Sequence, residues 1–183
     1  MMAAVSDAVD LANDQWSAAA PGLDVSAGDV LARIERLAHL IEARQTARLR
    51  RRPGMLVANR GDFDVLRTLR RSGPPYRLSP GEIAQQMLVS SAGMSGRLKR
   101  LADEGWINRV PSLDDARSTL VELTPAGLTD LDADLPDHYA FEDSLLVDLD
   151  EDQRAHLVVG LRRLMESLGP VRSGHTPGDV AEH

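Results

Sequence analysis

Apolar side chains recur at helical spacing along most of the chain, and a short stretch past its middle changes to strand-like composition. The helical spacing predicts helices over 6–19, from 26 or 29 to about 51, over 62–71, and after Ser79 and Ser90. Residues 106–110 and 118–123 read as two strands around a polar tip, 111–117. Two further helices are expected from Thr124 towards Leu149 and from Asp150 to Leu168. The fold class is therefore mostly α with a small β-wing.

The segment from Ser79 to Gly127 has the clearest boundary signals. Ser79-Pro80-Gly81-Glu82 has capping-box spacing with proline at the first helical position, so a helix is expected to begin there. Serines 90 and 91 open a second helix, and Gly105 ends it. Helix, short turn, helix and hairpin in this order predict a winged helix-turn-helix, the second helix being the recognition helix.

Four regions follow from this pattern. Residues 1–22 are an N-terminal extra helix, and 61–123 form the winged helix-turn-helix. Residues 23–60 and 124–169 are scaffold and dimerisation helices, with Pro136 expected to kink or interrupt the second of these segments. Residues 170–183, rich in Gly, Pro and Ser, are expected to be a disordered tail.

Composition narrows the functional class. The 183 residues include no cysteine, which excludes disulfides, thiolate metal sites and a cysteine nucleophile. No apolar run approaches the roughly 20 residues that span a bilayer, so no membrane partner and a cytoplasmic location are expected. We find no phosphate loop, nucleophile elbow or isolated carboxylate pair, and therefore expect no enzyme. The histidines lack metal-ligand spacing, so no metal and no cofactor are expected.

Charge is distributed unevenly. The whole chain has net charge −7, but residues 44–109 alone carry +9, between acidic flanks of −5 and −11. A basic block that coincides with a helix-turn-helix pattern predicts binding to double-stranded DNA. The alternative is that the arginine runs are only solvated helix faces.

The recognition helix offers specific DNA contacts. Its apolar stripe is Met94, Leu98 and Leu101, which leaves other side chains for the outer face. These candidates are Ser90, Ser91, Ser95, Lys99 and Arg100. The end helices carry apolar stripes that are too few to bury one another in one copy, so a homodimer with two recognition helices one DNA turn apart is predicted. A monomeric helical domain is the alternative.

The residues that carry a family resemblance are concentrated here. They are Leu88-Val89-Ser90-Ser91-Ala92-Gly93-Met94-Ser95-Gly96-Arg97-Leu98, Gly105-Trp106-Ile107, Asp115-Ala116-Arg117-Ser118 and Val121-Glu122-Leu123-Thr124-Pro125-Ala126-Gly127. Over about residues 30–169 the chain resembles MarR-family transcription regulators. The resemblance implies a dimer that binds a palindrome beside its own promoter, acts as a repressor, and releases DNA when a small anionic or aromatic ligand binds. It also implies that Arg117 enters the minor groove of the DNA and that Asp115 holds it in place. The negative potential of a narrow minor groove suits arginine.

A narrower resemblance concerns the ligand. The urate-responsive branch of these regulators has an extra N-terminal helix with a tryptophan, an aspartate before the helix-turn-helix, and arginines in the recognition helix and first wing strand. The corresponding residues here are Trp16, Asp64, Arg97 and Arg109. The resemblance implies a urate-like anion bound by these residues, and we expect Asp64 to pair with Arg97 until an anion replaces it.

Other interpretations of these four residues remain open. An Asp–Arg pair between helices is commonly structural, and a tryptophan on an amphipathic helix commonly belongs to a core. Related branches respond to citrate, aconitate, phenols or antibiotics, and an architectural DNA-binding protein would need no ligand at all.

Overall fold

The computed structural model describes residues 6–50, 59–111 and 119–169. They form two compact units, residues 1–60 and residues 61–183, each described by itself. In the described part of the chain no helix is long and apolar enough to cross a membrane.

In its described residues the first unit contains a pair of helices, α1 (Ala8–Ala19) and α2 (Ser26–Arg50). Asp7 caps α1, accepting hydrogen bonds from the amides of Val9 and Asp10. The side chain of Arg33 on α2 lies 2.8 Å from Asp7 and 2.6 Å from Asp10, so one guanidinium fastens the start of α1 to α2. The predicted N-terminal helix is therefore present and packs along the long helix that follows it.

The second unit contains five helices and a small sheet in its described residues. The helices are α3 (Arg60–Arg71), α4 (Pro80–Met87), α5 (Ser91–Asp103), α6 (Pro125–Ser144) and α7 (Glu151–Leu168). The core consists of fully buried side chains from these helices and the sheet: Phe63, Val65, Leu66, Leu69, Ile83, Met94, Leu98, Leu101, Ile107, Val121 and Leu131. The predicted apolar stripe of the recognition helix is thus the face that α5 buries.

The sheet has three antiparallel strands in the order β1-β3-β2: β1 (Arg77–Leu78), β2 (Ile107–Pro111) and β3 (Thr119–Leu123). Strands β2 and β3 form the predicted hairpin, from Ile107 opposite Leu123 to Pro111 opposite Thr119. The sequence did not predict β1, because two residues show no alternation. An ion pair at 2.6 Å between Arg77 and Glu122, which lie opposite each other, ties β1 to β3.

Helix α6 passes through Pro136 without interruption and ends at Ser144, not near Leu149 as predicted. Its buried side chains Leu131, Asp134 and His138 flank the proline, so packing outweighs a local cost of about 3 kcal/mol. Helix α7 has no buried residue, and its exposed apolar side chains are Leu157, Val158, Val159, Leu161, Met165 and Leu168.

Candidate DNA-binding surface and ligand site

The turn between α4 and α5 is built by reciprocal caps. The Ser79 amide donates to Glu82 Oε2 at 2.7 Å, and the Glu82 amide donates to Ser79 Oγ at 3.2 Å. The bond from the Ser79 amide holds the pKa of Glu82 below its ordinary value. Helix α4 then ends at Met87, and the left-handed backbone of the next residue, Leu88 (φ 55°), turns the chain into α5. The predicted helix-turn-helix is therefore present, with the expected capping box.

Helix α5 divides sharply into a buried and an exposed face. Ser90 caps it by accepting a hydrogen bond from the amide of Gly93 at 3.3 Å. Ser95, Lys99 and Arg100 are exposed, on the side away from the buried stripe. Lys99 forms an ion pair at 2.6 Å with Asp103, one turn further along and also exposed. The outer face of α5 thus presents hydroxyl and cationic groups, as an element entering the major groove requires.

Arg100 is also held from behind. Its Nε and Nη2 donate to the two carboxylate oxygens of Asp62 on α3 at 2.6 and 2.8 Å, while 48% of its side chain stays exposed. Asp62 itself is buried, with 3% of its side chain exposed. The hydrogen bonds to Asp62 raise the pKa of Arg100, which therefore carries a permanent positive charge.

Arg97 faces the same carboxylate, which corrects one expectation. Its Nη1 lies 3.9 Å from Asp62 Oδ1, and its guanidinium lies over Gly61. Asp64, the expected partner, lies 3.6 Å from Arg67 on its own helix. Residues two apart on a helix differ by roughly 200° in direction. Since Asp62 faces α5, Asp64 faces elsewhere.

Asp64 belongs to a polar cluster between α3 and α6. Arg67 Nη1 lies 2.7 Å from Nε2 of the buried His138 and 3.6 Å from Glu142, and His138 Nε2 lies 3.0 Å from the same Glu142 oxygen. The guanidinium of Arg67 also lies 5.5 Å from the ring centre of Tyr139. These contacts join α3 to α6.

The other two candidate ligand residues, Arg109 and Trp16, belong to different elements, β2 and α1. Arg109 is exposed on β2, opposite Val121 of β3. Trp16 belongs to the first unit, where 55% of it is exposed, so it is not a core residue there. It lines a groove of about 400 Å³ between α1 and α2, together with Asp24, Val25 and Arg36. Asp115 and Arg117 of the wing tip lie outside the described residues.

Asp62 is the site residue that sequence reasoning missed. An acidic residue in the first turn of a helix is ordinarily explained by the helix dipole, so nothing local distinguished it from Asp64. The available signal was on α5, where Arg97 and Arg100 are spaced three apart and therefore share one face.

A capped helix-turn-helix, a cationic outer face and a paired hairpin define a winged-helix DNA-binding protein. The model of the family described as MarR matches residues 58–119. The HTH-type transcriptional regulator PecS of Dickeya dadantii is 31% identical over 90% of this chain and 94% of its own. The chain belongs to the MarR family, and it is a DNA-binding transcription regulator.

Two other relatives agree with this assignment. The HTH-type transcriptional repressor YetL of Bacillus subtilis is 31% identical over 59% of this chain and 64% of its own. The MarR family regulator Sco3205 of Streptomyces coelicolor, solved in complex with DNA, has a TM-score of 0.70 at 25% identity over 81% of this chain and 95% of its own.

Proposed function

We propose that this regulator is a homodimeric repressor that binds a palindrome of roughly 16–20 base pairs and releases it when a small planar anion such as urate binds. The repressor role is supported by the relative named a transcriptional repressor. The DNA contacts are assigned to Ser90, Ser91, Ser95, Lys99 and Arg100 in the major groove, and to Arg117, held by Asp115, in the minor groove.

The dimer is supported by apolar surface on the end helices. On α7 the exposed fractions are 46% for Leu157, 69% for Met165 and 73% for Leu168, and on α2 Leu37 and Leu40 are more than half exposed. Exposed apolar side chains concentrated on a helix in this way are costly in water and are ordinarily covered by another chain. Sedimentation velocity at micromolar concentration is expected to give one dimeric species, and a monomer would contradict this part of the proposal.

The ligand proposal depends mainly on one observation, the state of the Arg97 guanidinium. Its side chain is only 30% exposed, and Asp62, the carboxylate it faces, already accepts two hydrogen bonds from Arg100. At 3.9 Å Arg97 has the charge attraction of Asp62 without a hydrogen bond to it. A half-buried guanidinium in this state suits a second anion, which it can bind through two parallel hydrogen bonds.

The other ligand residues are assigned complementary roles. Arg109 supplies a second cation, and the exposed ring of Trp16 supplies an apolar face for a planar ligand. Asp64 lies beside Arg67, so we assign it to the rim of the site rather than to Arg97. An anion drawn to Arg97 would pull this side chain away from Asp62 and shift α5, which weakens DNA binding.

The proposal is tested by a mobility-shift titration on DNA upstream of the protein's own gene, at two salt concentrations. We expect binding that weakens steeply with salt and is reversed by urate, with xanthine, citrate and salicylate as comparison ligands. Reversal by citrate alone would assign the site to a tricarboxylate. Salt-independent binding, or no binding to any upstream fragment, would overturn the DNA part of the proposal.

A further inference from the structure

A carboxylate near the start of α3 contacts two arginines of the recognition helix. Asp62 accepts two hydrogen bonds from Arg100, at 2.6 and 2.8 Å, and lies 3.9 Å from Arg97. We propose that Asp62 is a positioning residue, which orients Arg100 so that the outer edge of its guanidinium meets a pair of acceptor atoms on DNA. This inference rests on the proposed role of α5 as the DNA-reading helix.

The donor atoms of Arg100 determine what it can present. Asp62 accepts from the Nε hydrogen and one hydrogen of Nη2, which leaves the end edge of the guanidinium, with one hydrogen of Nη1 and the second hydrogen of Nη2 side by side. The Arg100 side chain as a whole is 48% exposed, whereas Asp62 is buried. Two parallel N–H groups match the O6 and N7 atoms of guanine, or two oxygens of one phosphate.

Gly61 provides the space for the second arginine. A Cβ on Gly61 would lie 1.2 Å from Nη1 and 2.2 Å from Cζ of Arg97, so only glycine lets that guanidinium lie across the α3 backbone. Arg97, Arg100 and Asp62 together therefore carry two positive charges and one negative charge. Asp62 therefore fixes Arg100 without cancelling the positive charge that attracts DNA, because Arg97 offsets the carboxylate.

Fixing the side chain in advance favours DNA binding. An arginine side chain loses conformational entropy about several rotatable bonds when it is ordered. Here that entropy is lost on folding rather than on DNA binding. A carboxylate beside a DNA contact would otherwise repel phosphates. Asp62 avoids this because it is buried and both of its oxygens accept hydrogen bonds from Arg100.

The test compares two substitutions that remove one negative charge near α5. Asp62→Asn removes the charge behind Arg100, and Asp103→Asn removes the exposed charge beside Lys99. If charge alone mattered, both variants would bind DNA more tightly. We expect Asp62→Asn to bind the operator at least about tenfold more weakly, and Asp103→Asn to bind as tightly as the wild type or more so.

A double-mutant cycle separates positioning from folding. In an Arg100→Ala background Asp62→Asn is expected to have little further effect on DNA affinity, whereas a general loss of fold would persist there. If Asp62→Asn does not fold, Arg100→Lys replaces it in the test. This variant keeps the positive charge but removes the paired N–H groups of the guanidinium, and it is expected to weaken DNA binding by a similar factor.

The two acceptor sources give different results. Contact with guanine predicts a loss confined to one base pair when operator positions are replaced in turn; contact with phosphate predicts a uniform loss and a salt slope lower by about one. Equal operator affinity of the wild type and Asp62→Asn, or an unchanged affinity of Arg100→Ala, would overturn the inference. Failure of the wild type to bind any DNA would instead overturn the proposed function.

Discussion

Gly127 lies so close to Trp106 that no side chain fits between them: a Cβ on Gly127 would lie 2.4 Å from the carbonyl oxygen of Trp106. The same carbonyl accepts a hydrogen bond from the Thr124 amide at 3.1 Å. Thr124 caps α6, its Oγ1 accepting a hydrogen bond from the Gly127 amide at 2.9 Å. The first turn of α6 is therefore packed directly against the backbone at the start of the wing.

This contact predicts that Gly127→Ala is destabilising. The backbone of α6 or of the wing has to move, and overpacking of this kind costs about 1–3 kcal/mol. Urea denaturation measures the loss. The control is Gly96→Ala in α5, where nothing lies within 4 Å of the added Cβ, and which is expected to stabilise by about 0.5–1 kcal/mol in helix preference. Equal effects of the two substitutions would show that the contact at Gly127 is unimportant.

Leu88 is predicted to be a site of avoidable strain. It has φ 55°, a conformation that costs roughly 1–2 kcal/mol in residues other than glycine, and it is 73% exposed, so it gains little from burial. Allowing for the greater backbone entropy of glycine in the unfolded chain, Leu88→Gly is expected to raise the free energy of unfolding by about 0.5–1 kcal/mol.

Tyr76 is the matched control for this change, because its φ is also positive, at 59°. Its ring lies 5.0 Å from the guanidinium of Arg70, a contact that Tyr76→Gly removes. Thermal unfolding should therefore show stabilisation for Leu88→Gly and no comparable gain for Tyr76→Gly. A loss of stability in Leu88→Gly would indicate that the exposed side chain makes a contact we have not assigned.

The sequence predicted elements more accurately than the partners of individual side chains. Capping signals predicted the starts of both helices of the helix-turn-helix accurately, because Ser79 and Ser90 accept hydrogen bonds from backbone amides within one turn of their own positions. The choice between Asp62 and Asp64 depends on how α3 rotates against α5, which no local signal fixes. An interruption at Pro136, one of the two outcomes expected, is absent because packing of neighbouring side chains maintains the helix.

Acid is predicted to loosen α1 from α2. Hydrogen bonds from Arg33 and from neighbouring backbone amides hold the pKa of Asp7 and Asp10 below their ordinary value of 3.8. Because these pKa values are lowered on folding, the stabilisation is complete well above pH 3.8 and is lost as the pH falls through the lower folded values. Polarised Trp16 fluorescence, in a Trp106→Phe background, should report the freed helix in that range.

Arg33→Gln separates this effect from general acid unfolding. The variant is expected to show a mobile Trp16 already at neutral pH, and its difference from the parent should shrink as acid removes the same ion pairs. Arg44→Gln, which removes an exposed arginine from the same helix, serves as the charge control and should leave Trp16 unchanged. A mobile Trp16 in that control would mean that overall charge, not the Arg33 contacts, holds α1.

Arg117 is predicted to contribute to DNA affinity but not to fold stability. Replacing it with alanine removes a cation from the wing tip, so DNA affinity should fall by about 1–3 kcal/mol in a mobility-shift titration. The melting temperature of the free protein is expected to stay within error of the wild type. An unchanged DNA affinity would show that the wing does not reach the DNA.

The ligand switch is tested most sharply by separating DNA binding from the response to ligand. Arg109→Ala should bind the operator nearly as the wild type does, because Arg109 lies on β2 and not on α5, yet it should need far more urate for release. Arg97→Ala should also lose the response. Asp64→Asn should keep both DNA binding and the Arg97 position, since the carboxylate facing Arg97 is that of Asp62.

Binding of the ligand itself is measured without DNA. In the Trp106→Phe background urate should quench the fluorescence of Trp16, and the melting temperature should rise with ligand concentration through linkage. If neither urate nor citrate changes Trp16 fluorescence or melting, Trp16, Arg97 and Arg109 serve the fold or the DNA contact, and the regulator is controlled by something else.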